Sequence, residues 1–193
     1  MFTGIITHLG RLVKVQKTVY TFSAPLSFCK RITKGTSIAV NGVCLTTFKK
    51  KEDQFSIEIM PETAKKTMVQ TLRQNDLVNL ELPVSPFSFL SGHLVAGHVD
   101  GVGKIGKVKK EGNSRMLTIY YPKNLGKYIT QKGSIAVNGI SLTVIDVERN
   151  SFTVGIIPYT WQNTMLKTAK MGDPVNIEVD IVAKYVEKLL QRE

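Results

Sequence analysis

Cys44 and Ser141 occupy the same position in two copies of one phrase. Ser37-Ile38-Ala39-Val40-Asn41-Gly42-Val43-Cys44-Leu45-Thr46 returns 97 residues later as Ser134-Ile135-Ala136-Val137-Asn138-Gly139-Ile140-Ser141-Leu142-Thr143, with eight of the ten positions identical. A thiol serves as a nucleophile when ionised, and a hydroxyl both donates and accepts hydrogen bonds. Two readings stay open. Both residues are small and buried beside a turn, or they face equivalent pockets in which each does a different job. His93, His98 and Asp100 are a second cluster. Three candidate ligands on an irregular segment, with no fourth nearby, do not make a metal site, so no metal is expected. A polar or acid–base role for one histidine fits better. No Ser-His-Asp order and no G-x-S-x-G elbow is present. Gly101-Val102-Gly103-Lys104-Ile105-Gly106 fits the dinucleotide pattern, but alternating, strand-like text from Lys107 to Tyr121 follows it where a helix is required.

The repeat holds its register without a gap. Pro61, Thr63, Thr67 and Met68 match Pro158, Thr160, Thr164 and Met165, while Asp76, Val78, Asn79 and Glu81 match Asp173, Val175, Asn176 and Glu178. A repeat this long is a small domain rather than a solenoid unit. Within each copy, Asn-Gly between apolar runs predicts a hairpin with a type I′ turn. Phe55–Met60 and Phe152–Ile157 alternate like half-buried strands and stop at Pro61 and Pro158. Glu62–Leu72 and Tyr159–Ala169 each have room for a short helix with proline at its start. Val78–Leu82 and Val175–Val179 alternate again. Many short strands with glycine-rich turns predict barrels or sandwiches. Pro83 to Gly97 forms the junction. Val182, Tyr185, Val186, Leu189 and Leu190 share one face of a terminal helix that has no copy in the first half. Such a helix docks on its own domain or bundles with copies of itself, and self-association is the favoured reading.

The 193 residues divide into two halves large enough for modest cores, and 42% of them are hydrophobic. No apolar run approaches the roughly 18 residues that span a membrane, so no membrane partner is expected. The first residues lack the pattern of a secretory leader. Cys29 and Cys44 make no disulfide framework and fit reduced thiols in the cytoplasm. A net charge of +11 raises nucleic acid as a partner. The lysines are scattered, and no aromatic cluster marks the repeated segments, so a solvated basic surface is the reading adopted and no nucleic acid is expected.

Four segments together are specific: Met1-Phe2-Thr3-Gly4-Ile5-Ile6, the doubled S-I-A-V-N-G-x-[CS]-L-T, the doubled P-x-T-x-x-x-T, and Ser91-Gly92-His93-Leu94-Val95-Ala96-Gly97-His98-Val99-Asp100-Gly101. Over essentially its whole length the chain resembles riboflavin synthase. The resemblance implies a mainly β fold of two tandem homologous six-stranded Greek-key β-barrels with a C-terminal α-helix. The barrels would span residues 1–97 and 98–181, and the oligomerisation helix 182–193. It implies dismutation of two 6,7-dimethyl-8-ribityllumazine molecules, with no cofactor, in a cytoplasmic homotrimer, and association with lumazine synthase as a further partner. Non-catalytic lumazine proteins share the fold and are the runner-up, but both copies of the motif are intact here.

Carried onto matching positions, the resemblance puts the N-barrel ligand against Gly4, Ile5, Ile6, Cys44, Leu45, Thr46, Glu58, Ile59, Met60, Pro61, Glu62 and Thr63. The C-barrel set is Gly97, His98, Val99, Lys132, Ser141, Leu142, Thr143, Ile156, Ile157, Pro158, Tyr159, Thr160 and Trp161. Its catalytic set is Phe2, Ser37, Cys44, His98, Asn138, Ser141 and Asp180. Phe2 would cover the ring, Ser37 and Cys44 would relay protons, His98 would act as acid or base, and Asp180 would bind the ribityl chain. Some family members carry Asp at the place of Asn138, and an amide cannot serve as a base.

Overall fold

Alternating strands closed by tight turns give two barrels of one design in the computed structural model, which describes residues 1–191. The first consists of β1 (His8–Gln16), β2 (Val19–Ser23), β3 (Ser37–Val40), β4 (Val43–Lys50), β5 (Gln54–Glu58) and β6 (Leu77–Glu81), closed in the order β1-β2-β5-β4-β3-β6. The second consists of β7 (Gly101–Glu111), β8 (Ser114–Tyr120), β9 (Ser134–Val137), β10 (Ile140–Val147), β11 (Ser151–Ile156) and β12 (Pro174–Val179), closed in the same order. Every pairing is antiparallel, and the returns of β6 and β12 are the Greek-key crossovers. Gly101–Gly106 lies within β7, as its strand-like continuation predicts.

Each strand puts alternate residues inside. Phe22, Ile38, Val40, Leu45, Phe55, Ile57, Val78 and Leu80 fill the first barrel, and Leu117, Ile119, Ile135, Val137, Leu142, Val154, Val175 and Ile177 the second. Burying one such side chain stabilises by about 1.5–3 kcal/mol. Closure needs strongly bent strands, and bulges supply the bend. They fall at equivalent places: between Leu12 and Lys14 and between Ile105 and Lys107, then between Thr47 and Lys49 and between Val144 and Asp146.

The helical segment after each proline is shorter than its sequence suggests. α2 (Pro61–Lys66) and α3 (Pro158–Asn163) stop where Thr67 and Thr164 turn extended, and one 3₁₀ turn follows each. The extended threonine spends its hydroxyl on that turn, accepting from the backbone N–H two residues on, which a continuous helix would not allow. A single turn, α1 (Leu26–Cys29), packs Phe28 and Cys29 into the first core.

The barrels meet through their Asn-Gly turns. Asn41 and Asn138 have φ of +44° and +46°, and Gly42 and Gly139 +77° and +76°, the two positive angles of a type I′ turn. The Gly42 and Gly139 backbones touch across a pseudo-two-fold axis: a Cβ on Gly42 would stand 2.5 Å from the Gly139 nitrogen. Four buried asparagines close the contact. The Asn79 Nδ2 donates to the Asn138 carbonyl (2.9 Å), and its Oδ1 accepts from the Met165 N–H (2.7 Å). Asn176 does the same with Asn41 and Met68 (2.8 and 2.7 Å).

The terminal helix α4 (Ile181–Leu190) begins at Asp180, whose carboxylate accepts from the Val182 N–H. Residues 192 and 193 of the predicted helical segment lie outside the described residues. Polar contacts hold α4 on the second barrel: Lys184 pairs with Asp100 at 2.6 Å, and Glu187 bonds Lys127 and Tyr128. Val182, Tyr185, Val186, Leu189 and Leu190 stay 49–76% exposed. The helix thus docks on its own barrel by charge, with its apolar face left outside. No helix among the described residues is long and apolar enough to cross a membrane.

Candidate active site

Cys44 and Ser141 sit on the outer faces of their barrels. Leu45 and Leu142 point into the cores, so their neighbours along the strand must point out. Cross-strand pairing sets Ala39 opposite Cys44 and Ser37 opposite Thr46, and these four share one face. Ala136, Ser141, Ser134 and Thr143 repeat the arrangement. Thr46 and Thr143 are exposed, and Cys44 and Ser141 are half-buried.

What half-buries them is an exchange between the two halves. The expected grouping of Gly4 with Cys44, and of Gly97 with Ser141, is reversed. The Ser141 N–H donates to the Gly4 carbonyl (2.8 Å), and the Cys44 N–H donates to that of Gly97 (2.9 Å). Ile6 packs against the second core and Val99 against the first. Each opening segment lies on the other barrel's motif, at contact distance. A Cβ on Gly4 would fall 2.6 Å from that of Ser141, and one on Gly97 2.6 Å from that of Cys44. Both glycines also carry positive φ, +77° and +82°.

Two carboxylates hold the exchanged segments. Glu81, 4% exposed, accepts from Thr3 N–H (2.7 Å), Thr3 hydroxyl (2.7 Å) and Gly4 N–H (3.1 Å). Its mate Glu178, also 4% exposed, accepts from Ala96 and Gly97 N–H at 2.6 and 3.0 Å. Burial pushes both carboxyls above the ordinary 4.5, against the pull of those donors. A carboxyl raised by folding contributes most below its ordinary pKa and loses that contribution as pH rises through the raised value. The share of native stability that Glu81 and Glu178 contribute therefore falls as pH rises above 4.5, and Glu81→Gln removes the Glu81 part. Urea midpoints measured between pH 4.5 and 7.5 should show the wild type losing ground relative to Glu81→Gln as pH rises. A constant gap would contradict this.

The remaining predicted residues divide by placement. Phe2 is fully buried among Ala39, Val95 and Ala136, against Cys44. Its ring has no open face, so the expectation that it covers a ligand is corrected: it forms a floor behind Cys44. Asn138 is likewise fully buried. Its Oδ1 accepts from the Asn176 N–H, and its Nδ2 lies 3.4 Å from the Met165 sulfur. This commits it to the barrel contact rather than to an open pocket. Ile59 and Ile156 point into the cores, leaving only their backbones for a ligand. Met60, Ile157 and Tyr159 are 58–72% exposed, and Glu58, Pro61, Glu62 and Pro158 are exposed too. Trp161 is half-covered, with Arg115 stacked 4.3 Å from its ring centroid. Thr63 and Thr160 each give their carbonyl to the hydroxyl four residues on. Lys132 is exposed with φ +64°, where its mate is Gly35. Asp180 caps α4, and His98 is exposed beside Gly97. Asp100 spends both oxygens, on the Val179 N–H and on Lys184, which removes it from any ligand set. No cluster of three metal-ligating side chains occurs among the described residues.

One contact was not legible in the chain. The His93 Nδ1 lies 2.7 Å from the Ser141 hydroxyl oxygen. The signal available was a glycine before a histidine in an irregular segment, which does not name a partner. A cleft of about 870 Å³ runs between the barrels along Met68, Leu72, Arg73, Met165, Lys170 and Asp173, and neither Cys44 nor Ser141 lines it. The candidate sites are open outer surfaces.

The chain matches the family described as Lumazine binding domain twice, over residues 3–83 and 96–180. It is 42% identical to riboflavin synthase of Actinobacillus pleuropneumoniae, covering 98% of this chain and 90% of that one. With riboflavin synthase of Mycobacterium bovis the identity is 40%, covering 99% and 98%. The chain belongs to the riboflavin synthase family. Among solved structures it is similar to LumP complexed with riboflavin, at 25% identity and a TM-score of 0.87, covering 93% of this chain and 99% of that one. LumP complexed with 6,7-dimethyl-8-(1'-D-ribityl) lumazine gives a TM-score of 0.85 at 24% identity, a likeness of fold. In terms of this family, the exchanged openings mean that each candidate site already draws on both halves of one chain.

Proposed function

We propose that the chain is an enzyme, a riboflavin synthase. It moves a four-carbon unit from one 6,7-dimethyl-8-ribityllumazine to a second, releasing riboflavin and 5-amino-6-ribitylaminouracil. The observation that carries this reading is the duplicated site. A reaction between two like molecules needs two like surfaces, and Cys44–Gly97 and Ser141–Gly4 are such a pair in a chain that matches riboflavin synthases nearly end to end. Because the surfaces are open and face outward, a ligand on one is enclosed when a neighbouring chain adds the other. The exposed apolar face of α4 supports a homotrimer in which an N-barrel of one chain meets a C-barrel of the next. Cytoplasmic location and association with lumazine synthase belong to the same reading.

Positioning carries most of the catalysis. Fixing two flat heterocycles at reacting distance makes a bimolecular step effectively unimolecular, worth about 7–11 kcal/mol. Thr46 and Thr143 hydroxyls, with the backbone at the strand edges, read the ring and ribityl oxygens. The C7 methyl of one lumazine loses a proton, its carbanion delocalises into the ring, and the other lumazine takes a nucleophile. Ser37 and Cys44 orient that nucleophile, His98 exchanges protons, Lys132 and Asp180 hold the ribityl end, and Asn138 acts through its turn.

The test is to mix purified protein with 6,7-dimethyl-8-ribityllumazine alone and follow riboflavin absorbance. Turnover with one uracil released per riboflavin is expected. Tight binding without turnover would leave a lumazine carrier, and absence of binding would overturn the reading of both surfaces.

A further inference from the structure

The two sites are alike in backbone and unlike in one side-chain contact. Ser141 is held from two directions. Its N–H donates to the Gly4 carbonyl, and its hydroxyl faces the His93 Nδ1 at 2.7 Å. The His93 backbone is pinned in turn, its N–H donating to the Thr3 carbonyl at 3.2 Å. Gly92 makes that approach possible, because a Cβ there would stand 2.1 Å from the Thr3 carbonyl oxygen and 2.9 Å from the Ser141 Cβ. Among the described residues Cys44 has no such histidine contact. A dismutation sends a fragment from one molecule to an identical one, so the two bound copies must be made different. A histidine at only one of two equivalent sites supplies a difference.

We propose that His93 is a positioning residue of the second site: its Nδ1 accepts a hydrogen bond from the Ser141 hydroxyl, so that the serine oxygen turns its lone pairs to a hydrogen-bond donor of the bound ribityllumazine. This rests on the reading above that a ribityllumazine is the ligand. No bond is made or broken in the step; a hydroxyl is locked in one orientation. The surroundings fit an accepting imidazole. Burial lowers the His93 pKa, partly offset by the negative charge of Asp180 at the start of α4. The opening segment brings Thr3 backbone, with the Glu81 carboxyl behind it, and β10 brings the neutral Ser141. Near neutral pH the ring is unprotonated and accepts. In acid it becomes a donor on both nitrogens, and the serine is forced to turn.

The experiment compares wild type, His93→Asn, His93→Ala, Ser141→Ala and the double variant His93→Ala/Ser141→Ala, each as the full chain. Binding of 6,7-dimethyl-8-ribityllumazine is read by fluorescence, and kcat and KM are followed from pH 5.5 to 8. His93→Ala should lower kcat/KM by about 10–100-fold, the size of effect seen when a partner that orients a metal-ligating side chain is removed. The asparagine amide oxygen replaces the acceptor without titrating, so His93→Asn should recover most of the loss and flatten the acid limb of the profile. The double variant should be no worse than Ser141→Ala. An acid limb unchanged in His93→Asn, or additive losses in the double variant, would overturn the proposal. NMR of the imidazole nitrogens at pH 7 gives a readout independent of turnover. An Nδ1 without a proton, altered in Ser141→Ala, is expected, and a protonated Nδ1 overturns the proposal. If wild type fails to bind or convert the lumazine while the nitrogen signals are as expected, it is the functional reading that fails and not the contact.

Discussion

Gly42→Ala weakens the protein by about 3–4 kcal/mol, while the same change at Gly35 costs about 1–2 kcal/mol. The two glycines have similar backbone angles, φ +77° and +90°, so a Cβ meets the same local strain at both. They differ in what lies beyond. At Gly35 nothing stands within 4 Å of the added carbon, whereas at Gly42 it would meet the Gly139 nitrogen at 2.5 Å and its Cα at 2.8 Å. Those atoms are backbone at the tip of the other barrel's turn, and they move only if the barrels part. Cys44 and Ser141 stand two residues past the two turns, so a shift there reaches both candidate sites. A displacement of about 1 Å costs on the order of a hundredfold in rate. Gly139→Ala should behave like Gly42→Ala, because its Cβ meets the Gly42 nitrogen at 2.7 Å. Gly172→Ala, with φ +92° and open space, should behave like Gly35→Ala. Urea unfolding and kcat/KM measured on the four variants test the pairing. Equal losses in all four would mean that local strain is the whole effect and that the turn contact carries nothing.

The contrast between Gly42 and Gly35 shows what the chain did and did not reveal. A type I′ turn, a half-buried strand or a proline stop depends on neighbours in sequence, and Asn41-Gly42, Phe55–Met60 and Pro61 declared theirs. The repeat added that whatever one half forms, the other forms too, which made paired barrels legible before any contact was known. Contacts across the pseudo-two-fold axis have no such local signature. Asn79 and Asn176 were visible as matched positions in alternating strands, where a polar residue reads as solvent-facing, yet both are buried, at 0% and 2% exposure. Glu81 and Glu178 hold the same kind of position and are buried too, each at 4% exposure. Their partners are mostly backbone N–H groups, those of Thr3, Gly4, Ala96 and Gly97, which carry no side-chain label. The exchange of Gly4 and Gly97 escaped for a related reason. A repeat aligns each opening segment with its own half, while the packing puts it on the other. His93 has no match in the aligned positions, so the repeat offered no clue to its partner, and nothing in Ser91-Gly92-His93 points 48 residues ahead to Ser141.

Asn79 is the sharpest test of the axis itself. Truncation to alanine leaves the Asn138 carbonyl without its donor and the Met165 N–H without its acceptor, both in a contact closed to water. Each stranded group costs about 1–3 kcal/mol, so a loss of about 3–5 kcal/mol is expected. The Asn79 backbone N–H keeps its bond to the Asn41 side chain, so the strand pairing inside the first barrel survives. The loss therefore falls on the coupling between barrels rather than on either core. Wild type should unfold in one calorimetric transition, and Asn79→Ala in two, as each barrel melts by its own apolar core. Asn176→Ala removes the symmetric pair of bonds and should look the same. The double variant should cost less than the sum of the singles, because a contact already opened to water satisfies the second set of groups. A single transition with a loss below about 1 kcal/mol would assign barrel coupling to the glycine turns alone. If two transitions appear, the asparagines align the two halves, and a chain whose sites each borrow a segment from the other half depends on that alignment for its chemistry.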